Sequence, residues 1–300
     1  MLALRLRCNG NARGWRAGQH VQLYLEQDGV RHGRSYSLTS VSSDGQVEVA
    51  IKRQPGGRLS NRVLDHLAVG EVIELGQADG DFVWPGEPGG VLLLAAGSGI
   101  TPLLGLLRDA LARGFKAPLT LWHQVRHPGQ QAFAGELRAL AERHGNFRVH
   151  WACSAEAGGR LAAERLAALP GEHLLVCGPR GFVEQACGWW REAGRGASVQ
   201  VESFSPLAVQ APGETREVRL TFARSALQAQ GLTVRSLLEQ AEATGLRPQY
   251  GCRQGICTRC TCQLLAGTVR DLRTGELFAE PNQPIRLCVS APHGDVEIDL

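Results

Sequence analysis

Four cysteines near the end of the chain constrain it more than any other feature. Cys252, Cys257 and Cys260 follow a C-x4-C-x2-C spacing, and Cys288 comes after 27 further residues. Three thiolates from one tight loop and a fourth from a distant point match the ligand spacing of one class of [2Fe–2S] cluster. Soft sulfur ligands suit such clusters, and Gly251, Gly255 and Thr258 keep the loop small and pliable. Zinc and unliganded thiols are the alternatives. Zinc usually draws its ligands as two close pairs, whereas this loop offers one close pair and a cysteine at x4. The other cysteines, Cys8, Cys153, Cys177 and Cys187, are scattered, and Cys262 falls outside the ligand spacing and reads as a small apolar side chain. Nine in total, an odd number, argues against a disulfide framework and for metal or redox chemistry.

The hydrophobic period divides the remainder. Residues 1–88 read as short strands at Leu2–Arg7, Val21–Leu25, Gly33–Leu38, Val47–Lys52 and Glu71–Leu75, with one helix at Leu59–Leu67. That is the pattern of a small antiparallel β-barrel. From residue 89 to 205 the pattern alternates. Strands are predicted at Val91–Ala96, Leu119–Val125, Phe147–Cys153, His173–Cys177 and Ser198–Phe204. The helices between them start at Thr101-Pro102 and span Gln131–His144, Arg160–Leu169 and Phe182–Glu192. Alternation of this kind means an α/β domain with a parallel sheet covered on both faces. Residues 206–216 are aperiodic and read as a linker. Residues 217–300 start with a strand at Val218–Ala223, continue through a helix at Val234–Ala243 and the cysteine loop, and end on the alternating Val296–Leu300.

Hydrophobic residues make up 43% of the chain and charged residues 20%, enough to fill the cores of several domains. The 32 basic and 29 acidic residues leave a net charge of only +3, which argues against a nucleic-acid binder. No apolar run approaches the roughly 20 residues that span a bilayer. The start of the chain lacks the pattern of a secretion signal, so a cytoplasmic location is expected.

Two motifs in the barrel suit a flavin. In Arg34-Ser35-Tyr36-Ser37 the tyrosine face can pack on the ring, a serine hydroxyl can reach its N5, and the arginine can pair with phosphate. In Gly57-Arg58-Leu59-Ser60 the helix start can hold a pyrophosphate, with Lys52 or Arg53 adding charge. Gly97-Ser98-Gly99-Ile100-Thr101-Pro102 follows an apolar strand and opens a helix, the setting in which a Gly-rich turn approaches a dinucleotide. Each motif has a plainer reading as a helix start or a bare turn. Cys177-Gly178-Pro179 ends a later strand at the sheet edge where ligands sit.

Residues 1–205 resemble the ferredoxin–NADP⁺ reductase superfamily through these motifs and through Glu202-Ser203-Phe204 at the end of the sheet domain. Tyr250–Cys260 together with Leu287–Ser290 resemble the plant-type ferredoxin domain, a β-grasp fold. The whole chain is similar to the fused reductases that serve bacterial oxygenases, hydroxylases and fatty-acid desaturases. The resemblance implies that Arg34, Ser35, Tyr36 and Ser37 hold the flavin, with Lys52, Gly57, Leu59 and Ser60 at its pyrophosphate. It implies that Gly97, Gly99, Thr101, Cys177, Gly178 and Pro179 lie along the nucleotide. Ser37, Thr101, Cys177, Glu202 and Phe204 would flank the reacting rings. Cys252, Cys257, Cys260 and Cys288 would hold the cluster. The family's barrel has six strands, and this sequence offers about five.

Gly80-Asp81-Phe82 resembles the loop of FAD-type members, which favours FAD over FMN. The second sheet strand ends in His123-Gln124-Val125-Arg126-His127, with a basic residue where a free ribose 2′-OH would call for an acid. NADPH is therefore expected over NADH, with Arg126 at the 2′-phosphate. Electrons would pass from NADPH to FAD, to the cluster, and to an external acceptor protein. Gly267-Thr268-Val269-Arg270 and Leu272-Arg273-Thr274-Gly275 resemble reductases of membrane acyl desaturases, so peripheral docking to a membrane partner is one expectation. A Rieske or other oxygenase is the second, and a non-catalytic redox-sensing or electron-transfer module is the alternative of another class. Arg253, Arg259, Arg270, Arg273 and Arg286 surround the cluster loop. They would either form a basic rim for an acidic acceptor or offset the cluster's charge.

Overall fold

Alternating apolar residues draw the first 75 residues into one sheet. A computed structural model describes residues 1–27, 30–41, 44–86, 89–195, 198–204, 215–250, 255 and 258–300. The first elements are β1 (Leu2–Arg7), β2 (His20–Gln27), β3 (Val30–Val41), β4 (Gln46–Ile51), α1 (Arg58–His66) and β5 (Glu74–Leu75). Five strands run in the order β1-β4-β3-β2-β5, with β1 and β3 antiparallel to β4 and β2 antiparallel to β5. Val21, Leu23, Leu38, Val47, Val49 and Ile51 fill the curl, and Leu59 and Val63 of α1 join them. β5 is shorter than its sequence suggests. The Glu71 amide and carboxylate both bond to Ala68 and turn the chain there, leaving Val69 and Val72 exposed.

The next stretch alternates as its period requires. It comprises β6 (Val91–Ala96), α2 (Ile100–Ala112), β7 (Leu119–Val125), α3 (Ala134–Arg143), β8 (Phe147–Cys153), α4 (Ala163–Ala168), β9 (His173–Gly178), α5 (Arg180–Glu192) and β10 (Val199–Ser203). The strands are all parallel, in the order β10-β9-β6-β7-β8. Every residue of β6 is buried, as a central strand covered on both faces must be. The connections reverse direction between β6 and β9, and in an open sheet of this kind ligands bind at that switch point, outside the carboxyl ends of the strands.

The last stretch forms a mixed sheet from β11 (Glu217–Phe222), β12 (Leu227–Leu232), β13 (Thr261–Asp271), β14 (Leu277–Phe278), β15 (Gln283–Arg286) and β16 (Ser290–Ile298), with α6 (Leu237–Ala243) after β12. The order is β12-β11-β16-β13-β14, with β15 pairing β13. β11 and β16 run parallel and the other pairs antiparallel. Ser236 caps α6 by accepting the Glu239 amide at 3.2 Å, which is why the helix starts later than its apolar pattern. Leu237, Leu238 and Ala241 then pack beneath the sheet against Leu220, Phe222 and Val296. Most of the predicted linker lies outside the described residues.

Two compact units result. One comprises Met1–Glu26 with Tyr36–Phe204, the other Gln27–Ser35 with Ser205–Leu300. Within the first, α2 presses on β3 so closely that a Cβ on Gly105 would stand 2.2 Å from the Leu38 carbonyl oxygen. Arg108 of α2 fastens this contact. It donates to Glu48 Oε1 at 2.7 Å, to the Thr39 carbonyl at 2.9 Å, and to both Glu136 oxygens at 2.7 Å. Burial alone would raise the Glu48 carboxyl, but the bonds from Arg108, Thr39 and Arg5 hold it below the usual carboxylate range.

Candidate functional site

The crevice of the parallel sheet is lined by backbone. Gly97 adopts a φ of 57°, open to glycine at little cost. Gly97–Gly99 then make one tight turn into α2. A Cβ on Gly99 would lie 2.1 Å from the Cys177 carbonyl oxygen, so the second glycine is demanded by close approach. Thr101 is buried and its hydroxyl donates to the Ser98 carbonyl at 3.1 Å. The glycine turn and the start of α2 therefore stand at the carboxyl end of β6, where a helix N-terminus is a natural cradle for phosphate.

Cys177 and Glu202 are register neighbours on β9 and β10. The Cys177 thiol donates to Glu202 Oε2 at 3.9 Å. Burial, then the Glu202 charge, pushes the thiol well above its ordinary pKa, and burial pushes Glu202 up to about 7. The pair therefore holds protons near neutrality rather than a thiolate. Phe204, two residues on, packs against the apolar cluster that includes Cys177. Gly178 leaves no room for a side chain, since a Cβ would meet Ala96 Cβ at 2.8 Å, and Pro179 stands at the cap of α5.

One residue here escaped the sequence. His123 is fully buried on β7, its Nε2 lies 3.1 Å from the Gly97 carbonyl, and its ring tilts against Trp151. Burial holds its pKa to about 4, so the ring is neutral and Nε2–H donates, bracing the glycine turn. The only signal was a histidine set among the apolar positions Leu119, Leu121 and Val125.

The flavin motifs lie on β3 and at the start of α1. Ser37 is buried and its hydroxyl has no hydrogen-bond partner among the described residues, an orphan that a flavin ring atom would satisfy. Tyr36 packs partly buried against the barrel core. At α1, Leu59 and Ser60 are buried, Ser60 Oγ accepts the Gln54 amide, and a Cβ on Gly57 would meet that Oγ at 2.5 Å. Ser60, expected at the pyrophosphate, thus spends its hydroxyl on the chain's own backbone. Arg53 is taken by Asp65, at 2.9 and 2.6 Å, which leaves Lys52 exposed as the nearby charge. In the second unit the Arg34 guanidinium lies over the Tyr250 ring, 5.3 Å from its centroid.

Of the four predicted cluster ligands, Cys252 and Cys257 lie outside the described residues. Cys260 and Cys288 are both buried. Strand β13 leaves Cys260, turns through β14, and returns as β15 in the register Thr261↔Arg286, with the Leu287 amide donating to the Cys260 carbonyl at 3.0 Å. This return explains the long gap before the fourth cysteine. The Gly255 amide donates to Cys288 Sγ at 3.2 Å, a bond that favours the thiolate form of that sulfur. Cys262 is packed beside the core, with its pKa raised to about 11, mainly by burial. Of the arginines around the loop, Arg253 lies outside the described residues, Arg270 meets His293 at 3.0 Å, and Arg273 and Arg286 turn inward onto the Gly255 carbonyl.

Residues 1–84 match the oxidoreductase FAD-binding domain, 93–188 the oxidoreductase NAD-binding domain, and 225–293 the 2Fe-2S iron-sulfur cluster binding domain. An NADPH oxidoreductase of Mycobacterium tuberculosis (strain ATCC 25618 / H37Rv) is 34% identical over 295 residues, 95% of this chain and 77% of that protein. The chain belongs to the ferredoxin–NADP⁺ reductase superfamily, in the branch with a C-terminal [2Fe–2S] domain. The ferredoxin reductase component of a Rhodococcus rhodochrous 3-ketosteroid-9-alpha-monooxygenase is 30% identical over 277 residues, 85% of this reductase and 78% of that protein. Phthalate dioxygenase reductase shares the fold, with a TM-score of 0.66, 23% identity, and coverage of 99% of this chain and 92% of that one. The reductase thus uses FAD, NAD(P)H and a [2Fe–2S] cluster for electron transfer. Among its described residues, no helix is long and apolar enough to cross a membrane.

Proposed function

We propose that this reductase draws electrons from NADPH and delivers them to a terminal oxygenase. Bound FAD would supply the chemistry that couples a two-electron hydride donor to one-electron transfer at the cluster. The chain's own residues supply position. The glycine turn braced by His123 seats the pyrophosphate, the Cys177–Glu202 pair borders the nicotinamide, and Ser37 fixes the flavin ring. The Rhodococcus relative carries the acceptor assignment, because it is named as the reductase component of a monooxygenase over most of both chains.

The acyl-desaturase reading rests on residues 267–275, and these have other duties. A Cβ on Gly267 would meet the Asp295 carbonyl at 2.2 Å, so this glycine serves strand pairing. Asp271 accepts the Arg273 and Thr274 amides and thereby shapes the turn. The stretch reports on the domain's fold more than on its acceptor. Coupled turnover distinguishes the two. NADPH-dependent product formation is expected with a terminal oxygenase and not with an acyl desaturase, and the reverse result overturns the assignment.

The preference for NADPH rests on Arg126, exposed at the carboxyl end of β7. The fold adds a neighbour the linear reading lacked. The Ala155 amide bonds to the Arg126 carbonyl at 3.2 Å, which brings the loop carrying Glu156 alongside. Arg126→Ala is expected to lower kcat/KM for NADPH about tenfold relative to NADH, consistent with loss of a charge-assisted contact. An unchanged ratio removes Arg126 from the 2′-phosphate.

A further inference from the structure

The cluster loop contains a contact that its ligand pattern does not require. Gly255 is buried at a φ of 73°, and a Cβ there would stand 2.8 Å from Val289 Cγ2 and 3.0 Å from Arg273 Cζ. Its N–H points at Cys288 Sγ, 3.2 Å away. Its carbonyl, on the other side of the same residue, accepts from two guanidiniums. Arg286 Nη1 reaches it from the end of β15, and Arg273 Nη1 reaches it at 3.3 Å from the turn after β13. Arg273 is itself fixed. Its Nε and Nη2 donate to the two oxygens of Asp271 at 3.2 and 2.8 Å, and its own amide donates to Asp271 Oδ1 at 2.7 Å. Burial would raise the Asp271 carboxyl, but these bonds hold it below the usual range, so Asp271 stays a charged anchor.

We propose that Arg273 and Arg286 form a two-armed clamp on the Gly255 carbonyl that raises the reduction potential of the cluster ligated by Cys288. Reduction adds one electron to a site already made anionic by its thiolates and sulfides. Positive charge and N–H donation toward that site favour the reduced state over the oxidised one. The clamp acts in two ways. It brings two cations close to the loop that holds the cluster, and it holds the Gly255 segment so that its N–H stays aimed at Cys288 Sγ. The two arms are unequal in kind, since Arg273 is partly neutralised by Asp271 and serves chiefly as a fixed strut. Arg286 carries the larger electrostatic share.

The test is a redox titration of the full-length holoenzyme, followed by electron paramagnetic resonance, with iron and acid-labile sulfide measured for each sample. Arg286→Gln and Arg273→Gln are each expected to shift the one-electron equilibrium toward the oxidised cluster. The shift for Arg286→Gln should be about tenfold, which is ~59 mV for a one-electron couple, and that for Arg273→Gln smaller. Arg219→Gln, an equal loss of formal charge at an exposed residue paired with Asp295, should leave the potential near that of the parent. If Arg286→Gln does not assemble its cluster, Arg273→Gln carries the test, because it leaves the Arg286 arm in place. Loaded clamp variants with the parent potential overturn the proposal. So does a shift in Arg219→Gln as large as theirs, which would reduce the effect to net charge.

Discussion

Gly99 and Gly255 are both glycines in cofactor loops, yet the fold needs them for different reasons. Gly99 has an ordinary backbone, with a φ of −60°, and is glycine only because the Cys177 carbonyl occupies the place of a Cβ. Gly255 needs the positive φ as well as the space, and its peptide groups bond outward to a thiol and to two arginines. The first glycine lets two backbones meet. The second turns a loop into an oriented donor. A shared residue type in a shared kind of motif thus conceals a packing requirement in one unit and an electrostatic one in the other.

The sharpest way to break this comparison is to place alanine at each position. Gly255→Ala, strained in backbone and blocked by Val289 and Arg273, is expected to abolish cluster assembly, read as loss of iron and sulfide, while NADPH still bleaches the flavin. Gly99→Ala should do the opposite. It should keep full iron and sulfide and slow flavin reduction by NADPH roughly 100-fold, the scale of a small misplacement of reacting groups. If both variants lose both functions, the two sites are not separable in the way their geometry indicates.

A smaller effect sharpens the same contrast from the side of stability. Arg108→Met removes the part-buried cation beside buried Glu48, leaving it the Thr39 hydroxyl and the exposed Arg5, and is expected to cost about 3 kcal/mol. The loss should appear as a lower Tm for the transition that releases flavin, with the cluster's visible signal persisting to the parent temperature. The smallest effect concerns Glu202. Its folded pKa near 7 exceeds the model-peptide carboxylate value, so its contribution to stability is present below about pH 4.5 and declines as pH rises toward 7. Glu202→Gln is expected to flatten the fall in Tm over that window. A parent Tm that is level across it would show that Glu202 is not held neutral.

Strand β6 was legible because burial on both faces leaves an unbroken apolar run, and β6, β7 and β8 have the limits that the sequence predicts. Strand β13 was not, since it starts at Thr261-Cys262, immediately after a ligand, where the cysteines mask the alternation. The four cysteines proposed as cluster ligands stand out by spacing alone, because a metal fixes the spacing of its ligands. Arg273, Arg286 and His123 could not be assigned their roles. Each acts on a backbone carbonyl that leaves no trace in the sequence, and Arg273 and Arg286 read equally well as a docking rim.

The claim that one chain carries electrons from nucleotide through flavin to cluster is tested most directly by anaerobic titration of the holoenzyme with NADPH. Visible absorption reports the flavin and low-temperature electron paramagnetic resonance reports the cluster. The account predicts that the flavin bleaches and that a reduced [2Fe–2S] resonance grows in to match the cluster content of the chain. A bleached flavin with no such resonance, in protein shown to contain iron and acid-labile sulfide, would contradict it.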